Sequence, residues 1–209
     1  MNPHIDYYFV GSSPFTFLGH NAIREVAAKH GATLRYKPVD PFGVWKESGS
    51  VPLPQRTDSR KRYRFLELQR IADMRGMDIN LKPAFFPVDT VLADSCVIAI
   101  DQLGADAGDY MAASFAGVWQ DEADMSLEQE VAKRLTQTGF DAAKIIEAAR
   151  SEAAAEIRAS YTADAVADDA MGMPTYVLNG EAFWGQDRIE FLDLALTSGR
   201  QPFRPLPIN

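Results

Sequence analysis

Two adjacent hydroxyls, Ser12 and Ser13, stand in the run Val10-Gly11-Ser12-Ser13-Pro14-Phe15-Thr16. Serine is a preferred helix N-cap and proline suits the first helical position, so a helix is predicted to begin at Pro14. A hydroxyl placed there sits among free backbone N–H groups and the positive end of the helix dipole. Capping is its ordinary role. It could equally stabilise an anion, because Ser12 doubles the hydroxyl and Gly11 lets a ligand approach the backbone.

Two further clusters carry chemistry. Near the C-terminus the chain reads Gly172-Met173-Pro174-Thr175, then Phe183-Trp184-Gly185-Gln186-Asp187-Arg188. Trp184 offers a flat wall. Asp187 can cap the helix that follows, or hold a ligand's ammonium group while the helix N–H groups hold a carboxylate. The third cluster is basic: Arg56, Arg60, Lys61, Arg62 and Arg64 lie within nine residues of an otherwise acidic chain. A solvated face is the usual meaning of such a run. Cations in the first turn of a helix, however, oppose its dipole at a cost of about 0.3–1 kcal/mol each, which points to an anionic ligand. The three histidines, His4, His20 and His30, lack metal-ligand spacing.

The elements that must position these residues follow from pattern. Residues 5–10 alternate aromatic and β-branched side chains and predict a buried strand. The helix from Pro14 runs to about Lys29, and Gly31 stops it. Residues 32–39 predict a second strand, parallel to the first by the usual right-handed crossover. Residues 40–58, rich in Pro, Gly and Ser, predict a loop. A helix from about Ser59 to Arg75 ends at Gly76. About five helices are predicted between 91 and 171, where Phe115, Val118 and Trp119, Val131 with Leu135, and Ile145 with Ala149 fall at helical spacing. Residues 174–179 and 181–184 form a hairpin around Asn179-Gly180, a type I′ signal. A final helix is predicted from about Asp187 to Thr197, and the tail from Gln201 to Asn209 as extended.

A strand-turn-helix at one end and a proline-led hairpin at the other are the two halves of a thioredoxin-like fold. The predicted architecture is therefore α/β: a thioredoxin-like domain from 1–90 and 172–209 with a large all-helical insertion at 91–171. Redox members carry C-x-x-C in the first turn. Here the window reads Ser13-Pro14-Phe15-Thr16, and the only cysteine is Cys96, so disulfide exchange is excluded. In such folds the equivalent of Pro174 is cis and faces the first turn, leaving the Met173 backbone to pair with an extended peptide.

Composition bounds the partners. The chain has 209 residues, 46% of them hydrophobic, enough for one compact domain with an insertion. A formal net charge of −8 repels phosphate backbones and argues against nucleic acid. No apolar stretch approaches the roughly 18–20 residues that span a bilayer. The start lacks the basic and apolar regions of a signal peptide, and the single cysteine fits a reducing compartment such as the cytoplasm.

These residues resemble a family. Ser13-Pro14-Phe15, Gly172-Met173-Pro174-Thr175 and Phe183-Trp184-Gly185-Gln186-Asp187-Arg188 are similar to 2-hydroxychromene-2-carboxylate isomerases. Those bacterial enzymes group with kappa-class glutathione transferases and DsbA proteins. The likeness spans the chain, including Tyr63 to Gly76 and Pro83-Ala84-Phe85-Phe86-Pro87. It implies a glutathione-dependent isomerase of aromatic degradation, interconverting 2-hydroxychromene-2-carboxylate and trans-o-hydroxybenzylidenepyruvate, and a homodimer. Position by position, it implies Ser13 as the active-site serine and Met173 and Pro174 as the backbone edge that pairs with glutathione. Trp184, Gly185, Gln186, Asp187 and Ser50 would hold the rest of the tripeptide. Arg56, Arg60 or Lys61 would receive the substrate carboxylate. The chain departs from the family at Val10 and Gly11, where an aspartate is usual, and at Ser50, where asparagine is. A kappa-like transferase or peroxidase, or a non-catalytic thioredoxin-fold binding module, would use the same groove.

Overall fold

The computed structural model describes residues 2–206. Strand β1 (His4–Phe9) leads into helix α1 (Pro14–His30) and strand β2 (Thr33–Pro38). Helices α2 (Pro41–Ser48) and α3 (Asp58–Arg75) follow, with a 3-10 turn at Leu53–Gln55 between them. Five helices come next: α4 (Val91–Gln102), α5 (Gly108–Trp119), α6 (Glu128–Gln137), α7 (Ala142–Ala149) and α8 (Glu152–Ala167). The chain closes with β3 (Thr175–Leu178), β4 (Glu181–Trp184), a 3-10 turn at Gln186–Arg188 and α9 (Ile189–Ser198).

The sheet order is β2-β1-β3-β4. β1 pairs with β2 in parallel and with β3 antiparallel, and β3 pairs antiparallel with β4. This is a mixed α/β sheet of the thioredoxin type with a helical insertion, as the sequence predicts. The alternation in β1 sorts its side chains to two faces. Ile5, Tyr7 and Phe9 enter the main core with Phe17, Leu18, Leu68, Phe115 and Trp119. Tyr8 and Val10 face the other way, against Val44 of α2 and Ala165 of α8. The main core is continuous from the sheet into the inserted helices, where Val131, Leu135, Ile145 and Ala149 join it.

Local chemistry sets most boundaries as expected. Gly31 and Gly76 adopt left-handed φ of 61°, and each donates its N–H back to the last turn of its helix. Asn179 and Gly180 take φ of 53° and 78°, the pair of positive angles that a type I′ hairpin requires.

Two expectations need correction. The segment 40–58 is not a continuous loop. Asp40 accepts the Phe42 N–H at 3.1 Å and caps α2, Pro41 fills the first helical position, and Gly49 ends the helix at φ 71°. Those cap and stop residues outweigh the loop-like composition. The last helix is also not capped by Asp187. A 3-10 turn precedes it, Arg188 occupies the cap position, and no side chain bonds the free N–H groups. The tail residues 201–206 form no helix or strand; Pro207 to Asn209, part of the expected extended tail, lie outside the described residues. Among the described residues no helix is long and apolar enough to cross a membrane.

Gly19 marks a close approach between α1 and the C-terminal segment. A β-carbon there would lie 2.7 Å from Gln186 Cβ and 3.0 Å from the Tyr176 hydroxyl. Gly19→Ala gains helix propensity but forces two buried elements apart, at about 1–3 kcal/mol. We expect a net loss of stability, measured as a lower urea midpoint with an unchanged m-value.

Candidate active site

The sheet order brings the two ends of the chain together. Because β1 and β3 are antiparallel neighbours, Tyr8 at the end of β1 pairs with Thr175 at the start of β3. The turn after β1 and the turn before β3 therefore meet. Ser13 donates its hydroxyl to the Met173 carbonyl at 3.3 Å and accepts the Thr16 N–H, also at 3.3 Å. Both bonds are at the long end of the range, so neither holds the hydroxyl tightly. No acidic residue lies in the first turn of α1. An anion placed beside Ser13 meets the helix dipole with no acid of α1 itself opposing it.

The Met173–Pro174 peptide bond is cis. Thr175 fixes the preceding turn by donating its hydroxyl to the Gly172 carbonyl at 2.6 Å. Gly185 donates its N–H to the Pro174 carbonyl at 2.8 Å, which sets the 184–188 segment beside the proline. Trp184 stands half-exposed over Gly172: a β-carbon at Gly172 would come 3.1 Å from the indole nitrogen. Trp184 also lines a groove of about 580 Å³ with Phe191, Leu194 and Phe203, a groove that Ser13, Met173 and Pro174 do not line.

Ser50 also reaches this end of the fold, because Ser48 and Ser50 both donate to the Met171 carbonyl, at 3.1 and 2.9 Å. Its donor is spent there, leaving the oxygen free to accept. Gln186 and Asp187 differ in environment. Gln186 is buried, and its amide oxygen accepts two bonds from Arg75, at 2.6 and 3.1 Å. It ties α3 to the C-terminal segment. Asp187 is exposed and pairs with the adjacent Arg188 at 2.6 Å.

The basic run divides by environment. Arg60 is exposed. Lys61 lies 3.7 Å from Asp58, one helical turn earlier. Arg56 is half-buried and donates its Nε to the Val51 carbonyl at 3.0 Å; burial, then the neighbouring Arg60, lowers its pKa. Cys96 is buried, and burial pushes its thiol up to about 12, so it is no nucleophile. Among the described residues no cluster of histidine, cysteine and carboxylate could hold a metal.

One site residue escaped the sequence reading. Asp94, buried on α4, accepts the Gly11 N–H with both carboxylate oxygens at 3.1 Å and the Thr90 hydroxyl at 3.0 Å. A β-carbon on Gly11 would collide with that carboxylate. The turn before Ser13 lacks the aspartate usual in similar proteins, yet a carboxylate reaches it from α4. The available signal was an acid set inside the apolar run Val91 to Ile100.

The sequence profile of the DSBA-like thioredoxin domain matches residues 4–197. The chain belongs to this family. It is 29% identical to the 2-hydroxychromene-2-carboxylate isomerase of Pseudomonas putida, over 92% of this chain and 93% of that one. The isomerase of Sphingobium xenophagum is 26% identical, over 92% and 97%. A solved structure of 2-hydroxychromene-2-carboxylate isomerase superposes with a TM-score of 0.77 at 26% identity, over 93% of this chain and 95% of that one. The cytosolic disulfide reductase DsbM of Pseudomonas aeruginosa, solved with GSH, shares the fold at a TM-score of 0.67 and 15% identity, over 93% and 99%.

Two buried groups give this site region a defined pH response. Burial raises the Asp94 pKa to about 7, against the lowering by the Gly11 N–H and Thr90. Between about 4, the unfolded value, and 7 the folded state binds more protons than the unfolded, so this term loses stability as pH rises. His20 is buried with Nε2 2.8 Å from the Gly108 carbonyl, and burial lowers its pKa to about 4. Between about 4 and 6.5, its unfolded value, the unfolded state binds more protons, so its term gains stability as pH rises. The two oppose each other across pH 4–6.5. Asp94→Asn keeps an acceptor for Gly11 and removes one term. Its melting temperature should fall more steeply below pH 6.5 than that of the wild type; parallel curves would show that Asp94 is ionised throughout.

Proposed function

We propose that this protein is a glutathione-dependent isomerase that interconverts 2-hydroxychromene-2-carboxylate and trans-o-hydroxybenzylidenepyruvate. The observation that carries the reading is the hydroxyl of Ser13, loosely held between the start of α1 and the Met173 carbonyl, where a redox member of the family would hold a thiol. Full-length relatives named as isomerases of this substrate support it.

The residues fit glutathione. Ser13 offers a hydroxyl, the first turn of α1 is free of acids, and Trp184 stands over the Gly172 turn that precedes the cis Met173–Pro174 bond. When bound, glutathione would supply a thiolate, the nucleophile for reversible addition to a conjugated double bond. Ser13 would hold the sulfur with the O–H that now faces the Met173 carbonyl. Met173 and Pro174 align the tripeptide, Trp184 covers it, and Asp187 is the carboxylate available to an ammonium group. Of the basic run Arg56, Arg60 and Lys61, the half-buried Arg56 is the cation best placed for the substrate carboxylate, Arg60 being exposed and Lys61 near Asp58.

Magnitudes support the role of Ser13. A free thiol has a pKa of about 8.5, and lowering it by two units takes about 2.7 kcal/mol. A charge-assisted hydrogen bond contributes about 1.5–3 kcal/mol, and the helix terminus about 0.3–1. No cation is needed at the sulfur. An isomerase of this kind returns its glutathione unconsumed, which separates it from a transferase in product analysis.

Ser13→Ala should lower turnover at least tenfold at pH 7 and much less at pH 9, where the thiol ionises unaided. An equal loss at both pH values would leave Ser13 as a positioning group. Reduced glutathione should raise the melting temperature in proportion to the logarithm of its concentration, and S-methylglutathione should do so less. No shift at millimolar glutathione would favour a binding module without this cofactor.

A further inference from the structure

The buried stripe of α3 reads Arg64, Leu68, Ile71 and Ala72. Its first position, where the spacing calls for an apolar side chain, carries a charge. Arg64 is only 8% exposed, and its Nη2 is buried without a hydrogen-bond partner. Three aromatic rings surround the guanidinium: Phe86 at 5.4 Å, Phe65 at 5.8 Å and Trp119 at 5.9 Å. Ring faces offset only part of the cost of burying a cation. The Trp119 indole Nε1, fully buried, is likewise unpartnered. Arg56 is close enough to lower Arg64 further, after burial, to about 10. Among the described residues neither Arg56 nor Arg64 makes an ion pair.

Contacts place this cluster on the side of the active site. Met171, two residues before Met173, accepts from Ser50; Val51, the next residue, accepts from Arg56. Arg56 in turn neighbours Arg64. From the other direction, α5 runs antiparallel to α1. Its start meets Arg24 and His20 through Asp109 and Gly108, whereas Phe115 packs on Phe9 at the end of β1. Trp119 lies one turn beyond Phe115 on α5 and packs on Phe86 at 5.0 Å.

We infer that Arg64, with Arg56 and the Trp119 N–H, is the carboxylate receptor of this site, and that Phe86 is the wall on which an aromatic or conjugated ligand lies. The guanidinium and the indole are donors only, and a carboxylate is an acceptor only. It would satisfy both buried donors and neutralise two neighbouring cations at once. Arg60 and Lys61 are outside this set, one exposed and the other near Asp58. The ligand class is a planar unsaturated or aryl carboxylate. This assignment rests on the proposed isomerase reading for the identity of the substrate, but not for the receptor itself.

The test is calorimetric titration of the full chain with trans-cinnamate and with cinnamyl alcohol, its neutral counterpart, without glutathione. Wild-type protein should bind cinnamate at least tenfold more tightly than the alcohol. Arg64→Met should abolish that preference, Arg56→Gln should reduce it, and glutathione affinity should be unchanged in both. Equal binding of the two probes by the wild type would overturn the receptor, as would a preference that survives Arg64→Met. So would a loss of glutathione affinity in Arg64→Met with cinnamate binding intact, since the carboxylate held would then be that of glutathione. If Arg64→Met does not fold, the wild-type comparison and Arg56→Gln decide: a full preference in Arg56→Gln would count against the pair. A protein that binds cinnamate as described but not glutathione would refute the proposed function and leave the receptor standing.

Discussion

Everything at the site depends on the antiparallel pairing of β1 with β3. That pairing puts the end of one strand beside the start of the other, so residues 160 positions apart share a hydrogen bond between Ser13 and Met173. The remaining contacts of the region serve this junction. Asp94 holds the turn at Gly11, the Pro174 carbonyl holds Gly185, and Arg75 holds Gln186. Gly19 allows α1 to lie against Gln186. The C-terminal segment is thus pinned from α1 and α3, and the serine is left with only two long bonds. A rigid frame around a weakly committed hydroxyl suits a group that must change partner.

Charge is arranged against the average. The chain carries a net −8, yet the first turn of α1 is free of acids and α3 opens with a basic run. Local fields, not the global sign, govern what an anion meets within a Debye length. Burial is the strongest lever on the titrating groups, raising Asp94 and Cys96 and lowering His20 and Arg64. Asp94 and His20 respond to pH in opposite senses, so the fold is less sensitive to mild acid than either residue alone would make it.

Strand, cap and stop signals were legible because they are local. The alternation in β1, the Ser13-Pro14 start, the Gly31 and Gly76 stops and the Asn179-Gly180 turn need only near neighbours to act. Helix α2 shows the same chemistry in Asp40, Pro41 and Gly49, but the surrounding composition of prolines and glycines masks it. Gln186 and Asp187 illustrate the opposite limit. A short motif names residue types, but whether an amide faces a groove or an arginine from another helix depends on packing. Arg75 lies 111 positions from Gln186, and nothing near either residue indicates the contact.

Sequence by itself determined that this chain builds a thioredoxin-like frame without a dithiol. The motifs at both ends are local, and a missing cysteine is absolute. It also determined that Ser13 begins a helix, since cap preference and proline geometry act within one turn. Only the tertiary structure decided that Met173 and Asp94 meet the turn at Ser13. Asp94 and Arg64 are each the one charged residue among the buried positions of their helix. Their roles arise because long-range packing buries them, and burial is what turns an ordinary carboxylate or guanidinium into one that must find a partner.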